Sequence, residues 1–169
     1  MTMPMMRPPR KNPVLRTRQM NLPPGARGRV ALGLTAAAAE GRFELQTCED
    51  CGTVQYPPRE ACCICLSTDL QWQSQDGGGE LLAITNIHVS QNTYFKERAP
   101  WRVALVRLDC GPTVMAHLHA DCPPPPARVR VQARVDVSGQ GVLIAFPAEG
   151  VLDIARDPRL LELTGGSAP

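Results

Sequence analysis

The chain has 169 residues, of which 43% are hydrophobic, and its formal net charge at pH 7 is +2. This length suits one domain or two small ones, and no apolar run approaches the roughly 20 residues of a membrane-spanning helix. The N-terminus is basic but has no apolar core, so we expect no secretory signal, no membrane insertion and a cytoplasmic location.

Residues 1–30 differ in charge from the rest of the chain. They contain seven of the 18 Lys and Arg residues and no acidic residue, whereas the other 11 basic residues share the body with all 16 acidic ones. The body is therefore net negative and the tail strongly basic. Because the tail is also rich in proline, we predict an extended or disordered segment that stays solvated, wraps a partner or attracts a polyanion.

A short helix is predicted next, within residues 31–42. The run Thr35-Ala-Ala-Ala-Ala-Glu40 favours helix, and Gly41 is a plausible end. Because an isolated helix of this length is marginal in water, we expect it to dock on the body of this chain or on another chain.

Two Cys-x2-Cys pairs within residues 43–76 form the strongest motif. Cys48 and Cys51 make the first pair, and Cys62 and Cys65 make the second after ten intervening residues, whereas Cys63 breaks this spacing. The pattern predicts a zinc ribbon in which two tight turns supply four thiolates to one tetrahedral ion. Four protein ligands close the shell, so we expect one structural Zn²⁺ per chain. Iron is the alternative metal, and a disulfide staple is the alternative to any metal.

The segment Tyr56-Pro57-Pro58-Arg59 lies between the pairs and is the predicted tip of the ribbon. Its prolines fix an extended conformation from which Arg59 can project toward a partner. Alternatively, the prolines only shape the ribbon and Arg59 pairs with a local carboxylate.

Residues 77–150 show the two-residue periodicity of β-strands. Gly77-Gly78-Gly79 is interpreted as a hinge or bulge at their start. One face of the first strand is predicted to contain Leu81, Ala83, Thr85, Ile87 and Val89, and the inward face of the fourth Val129, Val131, Ala133, Val135 and Val137. Five such strands predict a small Greek-key barrel, the OB-fold. Residues 91–99 are predicted to be a loop, and residues 151–169 a C-terminal extension whose helical spacing Pro158 interrupts.

A catalytic constellation is not evident. His117 and His119 share a predicted strand face, but no carboxylate is at hand as a third metal ligand, so we interpret them as half-exposed barrel residues. Cys110 and Cys122 have no clear histidine partner. No nucleophile elbow, pair of catalytic carboxylates or dinucleotide fingerprint occurs, and we expect no catalytic residue in this chain.

The run from Leu45 to Cys65, followed by the glycine-rich break and Pro100-Trp-Arg-Val-Ala-Leu-Val-Arg-Leu-Asp109, resembles the thiolase-associated family of zinc-ribbon/OB-fold proteins. The resemblance covers residues 31–147 and implies a mainly β fold, with an N-terminal helix, a rubredoxin-like zinc ribbon and a C-terminal five-stranded OB-fold barrel. It also implies that the metal ligands are Cys48, Cys51, Cys62 and Cys65. Three features depart from the family pattern: Cys63, Cys110 and the polyproline connector after Cys122.

The resemblance further implies a non-catalytic accessory subunit in a hetero-oligomer with a thiolase-fold enzyme that acts on acyl-CoA. The reaction would be acyl transfer, thiolysis or aldol-type formation or cleavage of a C–C bond. This chain would stabilise the partner and help to shape a shared acyl-CoA channel. Contacts to the partner or the channel are predicted at Pro57, Pro58, Arg59, Tyr94, Phe95 and Trp101.

The alternative function is a nucleic-acid-binding module, because zinc ribbons and OB-folds both occur in such proteins and the tail is basic. Aromatic residues make up only 4% of the chain, and the predicted strands lack the aromatic ladder on which bases stack. Both features weigh against this alternative.

Overall fold

The computed structural model describes residues 21–25, 28–150 and 152–166. The helices are α1 (Leu32–Ala39), α2 (Thr93–Glu97) and α3 (Pro158–Leu163), with 3-10 turns at Arg29–Ala31 and Ile154–Arg156. The strands are β1 (Glu44–Cys48), β2 (Val54–Gln55), β3 (Leu70–Ser74), β4 (Gly78–Ile87), β5 (Trp101–Leu108), β6 (Thr113–Leu118), β7 (Ala127–Val135) and β8 (Gly141–Pro147). No described helix is long and apolar enough to cross a membrane. Most of the predicted basic tail lies outside the described residues.

The strands form two sheets. A three-stranded antiparallel sheet in the order β2-β1-β3 forms the ribbon, and β4-β5-β6-β8-β7 close into a barrel through pairing of β4 with β7. The pair β6–β8 is parallel, and the other barrel pairs are antiparallel. The predicted fold class, an N-terminal helix followed by a ribbon and a five-stranded OB-fold barrel, is therefore confirmed. The division of the chain into domains at residues 31, 43, 77 and 151 stays a prediction.

A β-bulge changes the face that β4 turns to the core. The register of β4 against β5 shifts between Leu81 and Ala83, so Leu81 is buried but Ala83 and Thr85 are exposed, and Ile84 takes the inward side. The predicted alternation is thus wrong beyond Leu81, because an inserted residue reverses the pleat. On β7 the predicted inward residues Val129, Val131 and Ala133 are buried, as expected.

One continuous core joins the helix, the ribbon and the barrel. Leu34 of α1 and Leu45 of β1 pack with the side chains that fill the barrel. Two glycines allow α1 to approach closely: a Cβ on Gly33 would lie 2.1 Å from the Trp72 ring, and one on Gly141 would lie 2.9 Å from the Cα of Thr35. The predicted docking helix therefore docks on its own chain, between the ribbon and the β7–β8 hairpin.

A second core covers the outer side of β8 with the C-terminal segment. Side chains of α2, β5, β8 and α3 meet there: Tyr94, Trp101, Val142, Ile144, Phe146, Leu160 and Leu163. Two predictions for this region are wrong. The segment predicted as a loop contains helix α2, which Asn92 caps, and Pro158 begins α3 behind the Asp157 cap instead of interrupting a helix.

We predict that Gly141→Ala destabilises the protein by about 1–3 kcal/mol, because the added methyl group meets the backbone of α1 and strains its packing. The substitution also disturbs the hydrogen bond that the Gly141 N–H donates to the Thr35 hydroxyl, 2.9 Å long. Urea unfolding gives the free energy. The control is Gly28→Ala, whose Cβ would have nothing within 4 Å; it should change stability by less than about 0.5 kcal/mol. Equal stability of the two variants would contradict this account of α1 docking.

Candidate metal centre

Four thiols converge at the end of the ribbon. The sulfur atoms of Cys48, Cys51, Cys62 and Cys65 all lie within 4.8 Å of one another. The Sγ atoms of Cys48 and Cys65 are 3.5 Å apart, and those of Cys51 and Cys62 are 3.6 Å apart. In a tetrahedral shell with Zn–S bonds of about 2.3 Å, two sulfurs are separated by about 3.8 Å. The cluster therefore fits one tetrahedral ion.

The two cysteine pairs sit on matching turns. In the first, the N–H of Gly52 donates to the Cys48 carbonyl at 2.8 Å; in the second, the N–H of Leu66 donates to the Cys62 carbonyl at 3.1 Å. The φ angle of Gly52 is 71° and that of Leu66 is 65°. Each turn thus needs a left-handed residue directly after its second cysteine. Only the first turn places glycine there, so the second holds a leucine in a strained conformation.

Hydrogen bonds and burial separate the pKa values of the clustered thiols. The hydroxyl and then the backbone of Thr53 lower the pKa of Cys51 to about 6. The backbone of Ser67 lowers the pKa of Cys65, but the neighbouring cysteines, Cys48 first, and burial outweigh it and raise the value to about 12. Four thiols at this separation cannot all ionise without a cation, so binding of a metal ion releases protons.

The geometry disfavours the disulfide alternative. A disulfide holds its two sulfur atoms about 2.05 Å apart. The Sγ–Sγ distances of 3.5 and 3.6 Å in this cluster are much longer, and all seven cysteines are free. Cys63 is exposed and takes no part in the four-sulfur cluster. The cysteine spacing predicted that Cys63 is not a metal ligand, and the geometry of the cluster agrees with this.

Two buried glutamines, which the sequence analysis missed, hold the tip of the ribbon. The side chain of Gln46 accepts from the N–H of Arg59 at 2.8 Å and donates to the carbonyl of the same residue at 3.1 Å. Gln55 donates to Gln46 and accepts from the N–H of Cys63 at 3.0 Å. In the sequence, the one sign of this role is that Gln46 occupies an alternate, polar position of the short strand β1. These bonds tie the tip to the second cysteine turn, so the metal site and the tip move as one body.

The residues predicted to make contacts occupy two kinds of position. Pro57 and Arg59 are exposed at the tip, and Arg59 takes part in none of the ion pairs between described residues, which disfavours its pairing with a local carboxylate. Tyr94 and Trp101 are only 2% and 3% exposed, inside the second core. A partner can reach them only through the residues that cover them, and the contact role of all six residues stays a prediction.

A groove of about 500 Å³ separates the ribbon tip from the outer face of the barrel. Its walls are mostly apolar: Tyr56, Pro57, Val103, Leu105, Met115, Val142 and Leu143, with Thr113, Ala116 and His117. Leu105 and Met115 are 42% and 62% exposed. Phe95 stacks on His117, with ring centroids 5.9 Å apart. The tip therefore lines this groove directly, whereas Phe95 of α2 reaches it only through its contact with His117.

The histidines form no second metal site in the part of the chain described. Among the described residues, the four clustered cysteines are the one group of three or more side chains that could bind a metal ion together. His119 is buried, not half-exposed as predicted, because it contacts Phe146 and its ring nitrogens pair with the Asp153 carbonyl and the Asp121 N–H, each at 3.2 Å. His117 accepts from the indole N–H of Trp101 at 2.8 Å. Both histidines therefore have structural partners.

Comparison with known proteins gives the family. Residues 35–71 match the family described as "ChsH2, rubredoxin-like zinc ribbon domain", and residues 72–140 match "ChsH2, C-terminal OB-fold domain". A DUF35 domain-containing scaffold protein of Methanocaldococcus jannaschii is 29% identical over 86 residues, a match that covers 50% of this chain and 60% of that protein.

A solved structure of an Ltp2-ChsH2(DUF35) aldolase is also similar, with a TM-score of 0.60 and 25% identity over 73% of this chain and 98% of that one. The two family matches adjoin each other in the order ribbon and then barrel, and together they cover the metal site and the closed barrel. The chain therefore belongs to the ChsH2-type (DUF35) family of zinc-ribbon/OB-fold proteins.

Proposed function

We propose that this chain is a non-catalytic accessory subunit of an aldolase-type enzyme, to which it binds through the groove between ribbon tip and barrel. The observation that carries the proposal is the exposed apolar groove beside a four-thiol site that leaves no ligand position open. The similar structure named above supports it, because its name pairs a ChsH2(DUF35) protein with Ltp2 in an aldolase. A protein surface that exposes large apolar side chains beside one another is typical of an interaction site.

The four clustered cysteines are the proposed ligands of one structural Zn²⁺, which would hold the two turns together and supply most of the folding free energy of the ribbon, about 10 kcal/mol or more. The N–H of Ile64 donates to the Sγ of Cys62 at 3.4 Å. The hydroxyl oxygen of Thr53 lies 3.2 Å from the Sγ of Cys51. Such bonds stabilise the thiolate form of each ligand and orient it.

Strand register explains the apolar character of the groove. Ala83 of β4 lies opposite Leu105 of β5, which in turn lies opposite Met115 of β6. These outward side chains form a row across three strands, and the ribbon tip closes its end through Tyr56 and Pro57. Methionine adapts its shape to a partner surface at low cost, which suits Met115 to a contact position.

The finer proposal is that the partner has a thiolase fold and acts on acyl-CoA in the cytoplasm. Phe95, which packs on His117 at the groove, and the tip residues Pro57–Arg59 would border the channel that the two subunits share. Enclosing such a channel would exclude water and hold the substrate in place, which accelerates a reaction without a catalytic group in this chain.

The groove also disfavours the nucleic-acid alternative. OB-folds bind oligonucleotides on the face of their second and third strands, here β5 and β6. The outward residues there include Val103, Leu105 and Met115, and Arg107 is paired with Glu80. Single strands require a series of stacking aromatics and unpaired cations, whereas the large exposed side chains of these two strands, Leu105 and Met115, are neither aromatic nor charged.

The proposal is tested by coexpressing this chain with the thiolase-fold subunit of its own source organism and measuring the molar mass of the purified product by light scattering. We expect a hetero-oligomer that cleaves or forms a C–C bond in an acyl-CoA substrate, whereas this chain alone does not. Turnover by this chain alone, or a partner that stays separate and fully active, would refute the accessory role.

Loss of one thiolate should release the metal. We predict that Cys65→Ser purifies without zinc, loses the native amide spectrum of residues 43–72 and no longer binds the partner, because three ligands cannot hold the ribbon folded. Elemental analysis and nuclear magnetic resonance measure these effects. The matched control is Cys63→Ser in the same turn, which should keep one zinc per chain. A zinc-loaded, folded Cys65→Ser protein would show that the ligand assignment is wrong.

The second cysteine turn should be improved by glycine. Leu66 is 76% exposed and adopts a left-handed conformation, so Leu66→Gly removes about 1 kcal/mol of strain. The reverse change at the equivalent position, Gly52→Ala, should destabilise the ribbon by a similar amount. The unmodified chain, Leu66→Gly and Gly52→Ala are ranked by how well their zinc-loaded forms resist a chelator and heat. A less stable Leu66→Gly protein would indicate that packing of the leucine matters more than its backbone.

A charge in the groove should block assembly. We predict that Met115→Lys weakens binding of the partner at least about 30-fold, because the ammonium group would be desolvated at the centre of the interface. The control Val89→Lys changes a side chain that is 87% exposed and outside the groove. Both variants should fold and keep zinc. Equal affinity of the two variants would move the interface away from the groove.

A further inference from the structure

A second cavity lies at the end of the barrel where β5 begins and β6 ends. It has a volume of about 330 Å³ and is lined by Trp101, Arg102, Leu118, Ala120, Asp157, Pro158, Arg159 and Leu160. Trp101, Leu118 and Leu160 are buried and give it an apolar floor. The mouth of a β-barrel is a common place for a small-molecule site, and the volume falls at the lower end of the usual range of about 300–1,000 Å³.

Two arginines border this cavity without a carboxylate partner. Arg102 donates to the Ala120 carbonyl at 3.2 Å, and Arg159 donates to the carbonyl of Pro100. Neither residue takes part in any ion pair of the described part of the chain. By contrast, the nearby Arg98 and Arg156 are paired with Glu162 and Asp121, respectively. Two positive charges beside an apolar floor are therefore left without a counter-ion.

The one acidic residue of the cavity does not neutralise them. The Asp157 carboxylate is buried and accepts from the N–H groups of Ala120 at 2.9 Å, Arg159 at 3.1 Å and Leu160 at 3.3 Å. These bonds hold it as the cap of α3. Its negative charge still opposes an anion, so a ligand must reach the guanidinium groups and not the helix end.

We propose that this cavity binds a small organic anion, with its apolar body on the Trp101–Leu118–Leu160 floor and its carboxylate or phosphate on Arg102 and Arg159. A guanidinium carries five donors in a planar fork, and a single carbonyl contact leaves most of them for the planar edge of a carboxylate or for a phosphate. The site is separate from the zinc ribbon and does not depend on the accessory function.

The binding test uses the full-length zinc-loaded chain and four six-carbon probes: hexanoate, hexyl phosphate, hexanol and hexylammonium. The chain has two tryptophans, so the indole N–H signal of Trp101 can be assigned by comparison with Trp72→Phe and followed as each probe is added. We expect saturable shifts with at least one of the two anions, and binding at least about tenfold weaker for hexanol and hexylammonium.

Substitutions then assign the contacts. The double variant Arg102→Gln/Arg159→Gln should lose the preference for the anion, and Ala120→Trp should block all four probes by filling the cavity. The control Arg156→Gln lies outside the cavity and should bind as the unmodified chain does. Preference for hexanoate or for hexyl phosphate distinguishes a carboxylate ligand from a phosphate ligand. The proposal is overturned if neither anion saturates, if hexylammonium binds equally well, or if the double variant keeps the preference.

Discussion

The mutual repulsion of four thiolates is the constraint on which this structure depends. Their sulfur atoms lie within 4.8 Å of one another, and hydrogen bonds already lower the pKa of Cys51 to about 6. The pKa of Cys65 is raised to about 12 beside its neighbours, so without a cation the four cannot all be thiolates, and the ribbon sheet that carries them is only three strands wide. A metal ion removes the repulsion and makes the ribbon a rigid body.

That rigidity reaches the barrel because the ribbon is not a separate domain in its packing. Leu45 of β1 belongs to the barrel core, and Trp72 of β3 packs on α1, which itself lies against the β7–β8 hairpin. The tip is fastened to the cysteine turn by Gln46 and Gln55. The groove therefore lies between parts of one packed unit, and a partner would meet a preformed surface, which lowers the ordering cost of binding.

The sequence was sufficient for features that local rules determine. The spacing of the cysteines identified the four clustered thiols, and the alternation on β7 identified the inward residues of the barrel. It failed where one residue changes the outcome of a pattern: a bulge after Leu81 reverses the faces of β4, and the Asp157 cap turns Pro158 from a helix breaker into a helix start. It could not show that Tyr94 and Trp101 are buried, because the C-terminal segment that covers them is distant in sequence.

The closed barrel also limits where this protein can act. Its interior is filled by side chains such as Val106, Val114 and Val131, so it contains no channel of its own. Two surfaces of the described chain are suited to binding: the outer face of β5 and β6, and the mouth beside α3. The first surface is apolar and open, which suits a protein partner, and the second is small and flanked by two unpaired guanidinium groups, which suits an anion. The two surfaces also share an element, since Trp101 bonds to His117 of the groove and forms part of the floor of the cavity.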